Sequence, residues 1–164
     1  MRSLLLRHLR AFPGRTEGVA AVEAALVLPV LLALGGGVME FGVAMYRLQL
    51  VEAGVRDAAR YLARMPDPAL AEAPARLLAV TGSITGAAPA RVRDWEAGQV
   101  QIAYRAVANP RDAATGRRPY RGGDVVQVVR VSTSVPYAGI GFLAAAGLSD
   151  LRLSADHEER AVGG

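Results

Sequence analysis

Residues 24–39 read Ala-Ala-Leu-Val-Leu-Pro-Val-Leu-Leu-Ala-Leu-Gly-Gly-Gly-Val-Met, with no charged or hydrogen-bonding side chain among them. From Val19 to Tyr46 the only charges are Glu23 and Glu40. A bilayer core of roughly 30 Å takes about 20 helical residues. Residues 24–45 fit that length, with Tyr46 and Arg47 placed as interface anchors. A carboxylate at the mouth of such a segment is unfavourable in lipid, so Glu23 calls for a purpose.

The charge balance supports a membrane reading. The net charge of +4 suggests nucleic-acid binding at first sight. Its distribution argues otherwise: residues 1–18 carry +3, from Arg2, Arg7, Arg10 and Arg15 against Glu17, and residues 19–164 carry +1. A basic excess in front of an apolar run is the positive-inside pattern of a cytoplasmic N-terminus, which puts the rest of the chain across the membrane. About 100 residues then remain for a folded domain, a small but workable core. The chain has no cysteine, which excludes a disulfide framework and a thiolate metal site.

Two features inside the run weaken a straight helix. Pro29 removes a backbone donor, and Gly35-Gly36-Gly37 adds three residues of low helix propensity. Membrane helices accept both where neighbours satisfy the backbone. One reading is close helix packing, since Ala33 and Gly37 form a small-xxx-small pair. The other is a helix break: the stretch Pro29–Gly37 softens or unwinds when the protein assembles with other chains.

Past Arg47 the pattern becomes amphipathic. Leu48, Val51, Val55, Ala58 and Leu62 make one apolar stripe, and Arg56, Arg60 and Arg64 make a basic one that reads as a solvated face. Glu52 precedes Arg56 in the favourable i, i+4 order. Unbroken from Val19 to Met65, such a helix is on the order of 70 Å long. Met65-Pro66-Asp67-Pro68 ends it. Ala69–Val80 reads as a short helix, and Gly82 and Gly86–Pro89 as turns. Alternation at Val100–Ala106, Val and Thr content over Asp124–Val135, and alternation at Leu151–Asp156 give three strands. Pro136–Leu148 is apolar and glycine-rich, consistent with a short helix over a sheet edge. The expected class is α+β: a long N-terminal helix, half membrane and half amphipathic, then a small antiparallel sheet.

The N-terminal elements resemble those of prepilin-like proteins. In that group a basic leader ends in glycine, a dedicated peptidase cuts after it, and the fifth mature residue is glutamate. Carried onto Arg15-Thr16-Glu17-Gly18-Val19, the resemblance puts the cut between Gly18 and Val19 and makes Glu23 the glutamate. Gly18 has no side chain to obstruct a protease. The new Val19 amine would lie one helical turn from Glu23, a charge pair that lipid tolerates where a lone carboxylate is disfavoured. Three further elements resemble the TadE-like family more specifically: Glu23-Ala24-Ala25-Leu26-Val27-Leu28-Pro29, Glu40-Phe41-Gly42, and Asp57-Ala58-Ala59-Arg60-Tyr61. Ala24, where the major pilins tend to carry tyrosine, and the length of the chain both favour a minor component.

The resemblance implies a pilin-like fold divided into a leader 1–18, a transmembrane helix 19–46, an amphipathic extension 47–65, a short helix and turns 66–96, and an antiparallel β domain 97–164. It also implies a minor pseudopilin of a tight-adherence (Tad/Flp) pilus, in the bacterial inner membrane with its C-terminal domain periplasmic, in or at the base of a pilus. Its partners would be a prepilin peptidase, other minor pseudopilins, the major pilin, the inner-membrane assembly platform and lipid. The alternative is an uncleaved, single-pass envelope protein that binds a partner through its β domain. A third reading removes a secretory signal near Gly36.

Nothing in the chain suggests an enzyme or a cofactor. Of the two histidines, His8 lies in the leader; on a strand His157 shares a face with Glu159 while Asp156 and Glu158 point away, and no second histidine or cysteine completes a transition-metal site. Phosphate loops, nucleophile elbows and H-E-x-x-H are missing, as are the interleaved aromatics of nucleic-acid binding. Trp95 reads as a core or interface anchor. The loop Asn109–Gly123 carries Arg111, Arg117, Arg118 and Arg121 and reads as a mobile, solvated connection.

Overall fold

The computed structural model describes residues 16–162, in two units, Met1–Met39 and Glu40–Gly164. Residues 1–15 of the expected leader, His8 among them, lie outside the described residues. Helix α1 (Thr16–Ala63) starts in the first unit and ends in the second.

In the first unit every residue from Gly18 to Met39 is exposed apart from half-buried Gly36 and Gly37. The helix passes through Pro29 and Gly35–Gly37 without interruption, although Pro29 has no N–H to offer the carbonyl of Ala25. The softening expected of that stretch refers to the assembled state. Among the described residues α1 is the one helix long and apolar enough to cross a membrane; its most apolar window has a mean hydropathy of 2.2 and no buried residue.

From Glu40 onward α1 has a buried face. Val51, Val55, Ala58 and Leu62 are fully buried and Leu48 packs partly against them, the stripe expected from the spacing. Arg56, Arg60 and Arg64 are exposed. Glu52 and Arg56 form no bridge with each other among the described residues; the next acidic residue of the helix, Asp57, pairs instead with Arg91, beyond α1, at 2.7 Å. The helix closes at Ala63, short of Met65, because Arg64 and Met65 donate to the carbonyls of Tyr61 and Leu62 at 3.3 and 3.0 Å. This tightened last turn precedes Pro66, which cannot continue a helix.

The helix expected over 69–80 is split. Asp67 Oδ1 accepts the Ala69 N–H at 3.2 Å and opens a 3-10 turn, Pro68–Ala71, before α2 (Glu72–Thr81). An α-helix begun at Ala69 would put Pro74 against the carbonyl of Leu70. Begun at Glu72, it places Pro74 in the first turn, where N–H groups have no helical partner. Gly82 ends α2 at φ 76°, its N–H bonded to Leu78 O, a left-handed cap.

Strands β1 (Val100–Ala108), β2 (Val125–Pro136) and β3 (Arg152–Arg160) form one antiparallel sheet in the order β1-β2-β3. The register pairs Val100 with Thr133 and Val135 with Leu153. That phase aims Val129, Val131, Val135, Val100 and Leu153 into one core with Val51, Val55, Leu62, Ala75, Ala79 and Trp95. The opposite face is polar: Arg105 meets Glu158 at 3.1 Å and Arg130 meets Asp156 at 3.0 Å. One buried and one solvated face is how an antiparallel sheet satisfies its alternation. The architecture is the expected pilin-like α+β class. Trp95 is a core residue, its Nε1 donating to Thr133 Oγ1 at 3.1 Å while that hydroxyl donates to Gln99 O at 3.0 Å. Between β2 and β3, a single turn of helix, α3 (Phe142–Ala145), is hydrogen-bonded to α1.

Candidate functional site

Gly18 and Val19 are helical, in the earliest described stretch of α1. Glycine lowers helix propensity by about 1 kcal/mol relative to alanine. Both residues are exposed. A Cβ built on Gly18 meets nothing within 4 Å, and the same holds for Gly35 and Gly37. Packing within the chain therefore gives no reason for these glycines. Glu23 is exposed on the same helix, and among the described residues no side chain pairs with it. Its nearest turn on the N-terminal side carries Val19, whose nitrogen is a peptide amide in the uncut chain.

A second site centres on Glu40, the residue where α1 begins to be covered. The residue is only 1% exposed. Oε2 accepts the Leu143 N–H at 2.8 Å and Oε1 accepts the Gly141 N–H at 3.2 Å, so a carboxylate from α1 caps the N-terminus of α3. Anions suit that position because the leading N–H groups point at them. The Tyr137 hydroxyl donates to the Glu40 carbonyl at 3.1 Å. One helical stretch later, Arg47 Nη1 donates to Ala138 O at 2.7 Å, and its guanidinium lies 5.3 Å from the centroid of the Tyr137 ring. Gly139 fits closely here: a Cβ would run into the Glu40 carboxylate and come within 2.7 Å of the Tyr137 ring, so either side chain would have to move. Burial, followed by the Glu40 charge, raises the Tyr137 phenol above its ordinary value, while Arg47 opposes the rise.

Sequence reasoning treated Glu40 as one charge in an apolar run and as part of a short motif. It missed the pairing with Tyr137–Leu143. The signal was present: a carboxylate amid apolar residues needs donors, and Ala138-Gly139-Ile140-Gly141 offers backbone N–H groups with little side chain in the way.

The basic loop is more ordered than its composition suggests. Asn109 is buried; its Nδ2 donates to the carbonyls of Tyr120 and Gly123 at 2.9 and 3.0 Å, and its Oδ1 accepts from Tyr120 N at 3.1 Å. Arg118 donates to Asn109 O at 2.6 Å and pairs with Asp124 at 2.5 Å, so part of the basic charge is structural. Asp112 holds the next turn through the Thr115 hydroxyl and the N–H groups of Thr115 and Ala114, and these bonds keep its carboxyl below the usual range. His157 Nε2 lies 3.2 Å from Glu159 Oε2. Among the described residues no group of three or more His, Asp and Glu side chains is placed to hold a metal ion.

The family model described as TadE-like protein matches residues 18–60. The match takes in Gly18, Glu23, Pro29, the glycine triplet, Glu40 and the start of the packed half of α1. This pilin-type family is generally non-enzymatic and is associated with Tad pilus assembly. No curated protein and no solved structure matches the chain.

Proposed function

We propose, for a chain whose N-terminal region is TadE-like, that it serves as a minor pseudopilin in assembly of a Tad/Flp pilus and is cut by a prepilin peptidase between Gly18 and Val19. The observation that carries this reading is the exposed apolar helix from Gly18 to Met39 with one unpartnered carboxylate near its start. A plain anchor explains the length of that helix and leaves Glu23 unexplained. Cleavage supplies the missing cation: the Val19 amine, one turn from Glu23 on the same face.

The glycines support the same reading. Each weakens the helix and none makes room for anything inside the chain. Gly18 leaves the scissile bond unobstructed by a side chain. Gly35 and Gly37 leave a smooth strip on which a neighbouring membrane helix can pack closely. In this role the protein acts through contacts: with the peptidase, with other minor pseudopilins and the major pilin, and with the assembly platform in the inner membrane. Its folded domain lies on the periplasmic side.

One observation favours the uncleaved, single-pass anchor instead. Helix α1 runs through the Gly18–Val19 bond, and a protease must unwind that turn to reach it. Intact-mass measurement of the protein from cells with and without the peptidase separates the two. A mass that begins at Val19 only when the peptidase is present supports the pseudopilin. An uncut mass in both strains rejects it in favour of the anchor.

A further inference from the structure

We propose that the segment Tyr137–Leu148 is a second membrane contact, a foot that rests in the lipid interface and is pinned there by Glu40. The proposal rests on the membrane-spanning reading of α1. The foot is apolar on its outside: Ile140, Phe142 and Leu148 are 65%, 40% and 53% exposed. No charged residue occurs from Val131 to Ser149. Water-facing loops of small domains are seldom so bare of charge, and adjacent exposed apolar side chains mark contact surfaces.

Continuity identifies the occupant. Glu40 and Arg47 tie the foot to the part of α1 that directly follows the exposed apolar run. In the same unit Phe41, Val43, Met45 and Tyr46 on α1 are exposed as well. The foot and this stretch of α1 thus both offer exposed apolar side chains where the chain leaves the apolar run. At this level Tyr137 and Arg47 supply the ring and the cation that favour a headgroup zone. Glu40 is compatible with that zone because backbone N–H groups, rather than water, surround its carboxylate. The lipid border then falls close to Met39 and Glu40, earlier on α1 than Tyr46.

The natural chain contains no cysteine, so single-cysteine variants report cleanly. Ile140→Cys and Leu148→Cys, with Arg117→Cys in the basic loop as reference, would be labelled with an environment-sensitive NBD fluorophore. The full-length chain would be reconstituted into vesicles of phosphatidylethanolamine and phosphatidylglycerol. The expected result is blue-shifted emission at 140 and 148, strongly quenched by lipids carrying a doxyl group near the headgroup, and neither effect at 117. Quenching of 140 and 148 by aqueous iodide to the level of 117 would overturn the proposal. So would a blue shift that ignores doxyl lipid and grows with protein density, because the foot would then contact another protein chain.

Two further variants test the pin. Glu40→Ala removes the carboxylate, and Gly139→Ala pushes it aside without altering α1. Either should move the 140 signal toward that of 117 while Trp95 emission stays that of a buried ring. Unchanged doxyl quenching in both would overturn the role of Glu40. Flotation of the parent with the vesicles is scored separately: its loss rejects the membrane span itself, whereas flotation with an iodide-accessible foot rejects only the foot.

Discussion

Gly54 is where α1 and α2 meet backbone to backbone, and its replacement tests the packing of the folded domain. A methyl group there would run into the carbonyl oxygen of Ala79, lie 3.1 Å from that carbonyl carbon and 2.6 Å from the Trp95 ring. Neither obstacle yields easily. Ala79 is inside α2, and Trp95 is held by its bond to Thr133. Overpacking costs roughly 1–3 kcal/mol, and rigid neighbours put this case near the upper end. Removing a glycine from a helix returns about 1 kcal/mol. The net is a loss of about 2 kcal/mol for Gly54→Ala. Gly42 is the control: it lies in the same helix and a Cβ there meets nothing within 4 Å, so Gly42→Ala should gain up to about 1 kcal/mol. Urea unfolding of the full chain in detergent micelles, followed by the fluorescence of Trp95, the chain's single tryptophan, measures both. With a slope of about 2 kcal/mol per molar urea, Gly54→Ala should lower the midpoint by about 1 M, and Gly42→Ala should raise it by about half that or less. A Gly54→Ala midpoint at or above the parent's would refute the close crossing.

Three other outcomes are expected. Glu23→Ala should insert into membranes as the parent does and reduce pilus assembly; a normal number of pili in that strain would remove the charge-pair argument. Gly37→Leu adds a side chain into space that the chain itself leaves empty, so thermal stability should hold while assembly falls, and unimpaired pili would show that no helix packs there. Tyr104 should make the domain sensitive to alkali. The residue is 41% exposed, and its partial removal from water, then the Glu72 carboxylate, pushes its phenol up to about 12. The unfolded phenol ionises near 10.0, so the neutral phenol's contribution is complete below that pH and is lost as pH rises toward about 12. Tyr104→Phe should flatten the stability profile over that window in urea titrations, and an unchanged slope would place the alkaline loss elsewhere.

Periodicity made much of the fold legible. The stripe Val51, Val55, Ala58, Leu62 is a buried helix face because a 3.6-residue repeat leaves no other way to cover it, and the alternation around Val100 and Leu153 names their strands for the same reason. The boundaries followed local chemistry that periodicity does not carry. Pro74 shifts the start of α2, and the carbonyls of Tyr61 and Leu62 close α1 early. Long-range polar contacts were the least legible. Asn109 orders the basic loop by reaching Tyr120 and Gly123, and Glu40 reaches Gly141 and Leu143 across most of the chain. Such pairings depend on which segments the fold brings together, and no local pattern records that.

Glu23 and Glu40 pose the same physical problem at the two ends of one apolar stretch, since a carboxylate away from water requires donors or a cation. Folding alone answers it for Glu40: a glycine-rich loop brings two N–H groups to the carboxylate, and the helix turns from an exposed rod into a packed one at that residue. Nothing among the described residues answers it for Glu23. If the chain folded no further than this, Glu23 would be a persistent liability, and an apolar residue would serve an anchor better. Its presence makes sense when its partner arises after folding, either as the amine that cleavage frees at Val19 or as a group on a neighbouring subunit. On the proposed reading, then, one glutamate belongs to the folded state and the other to the assembled state. Glu40 fixes where the domain meets the membrane, and Glu23 couples processing of the N-terminus to the moment when another helix comes alongside.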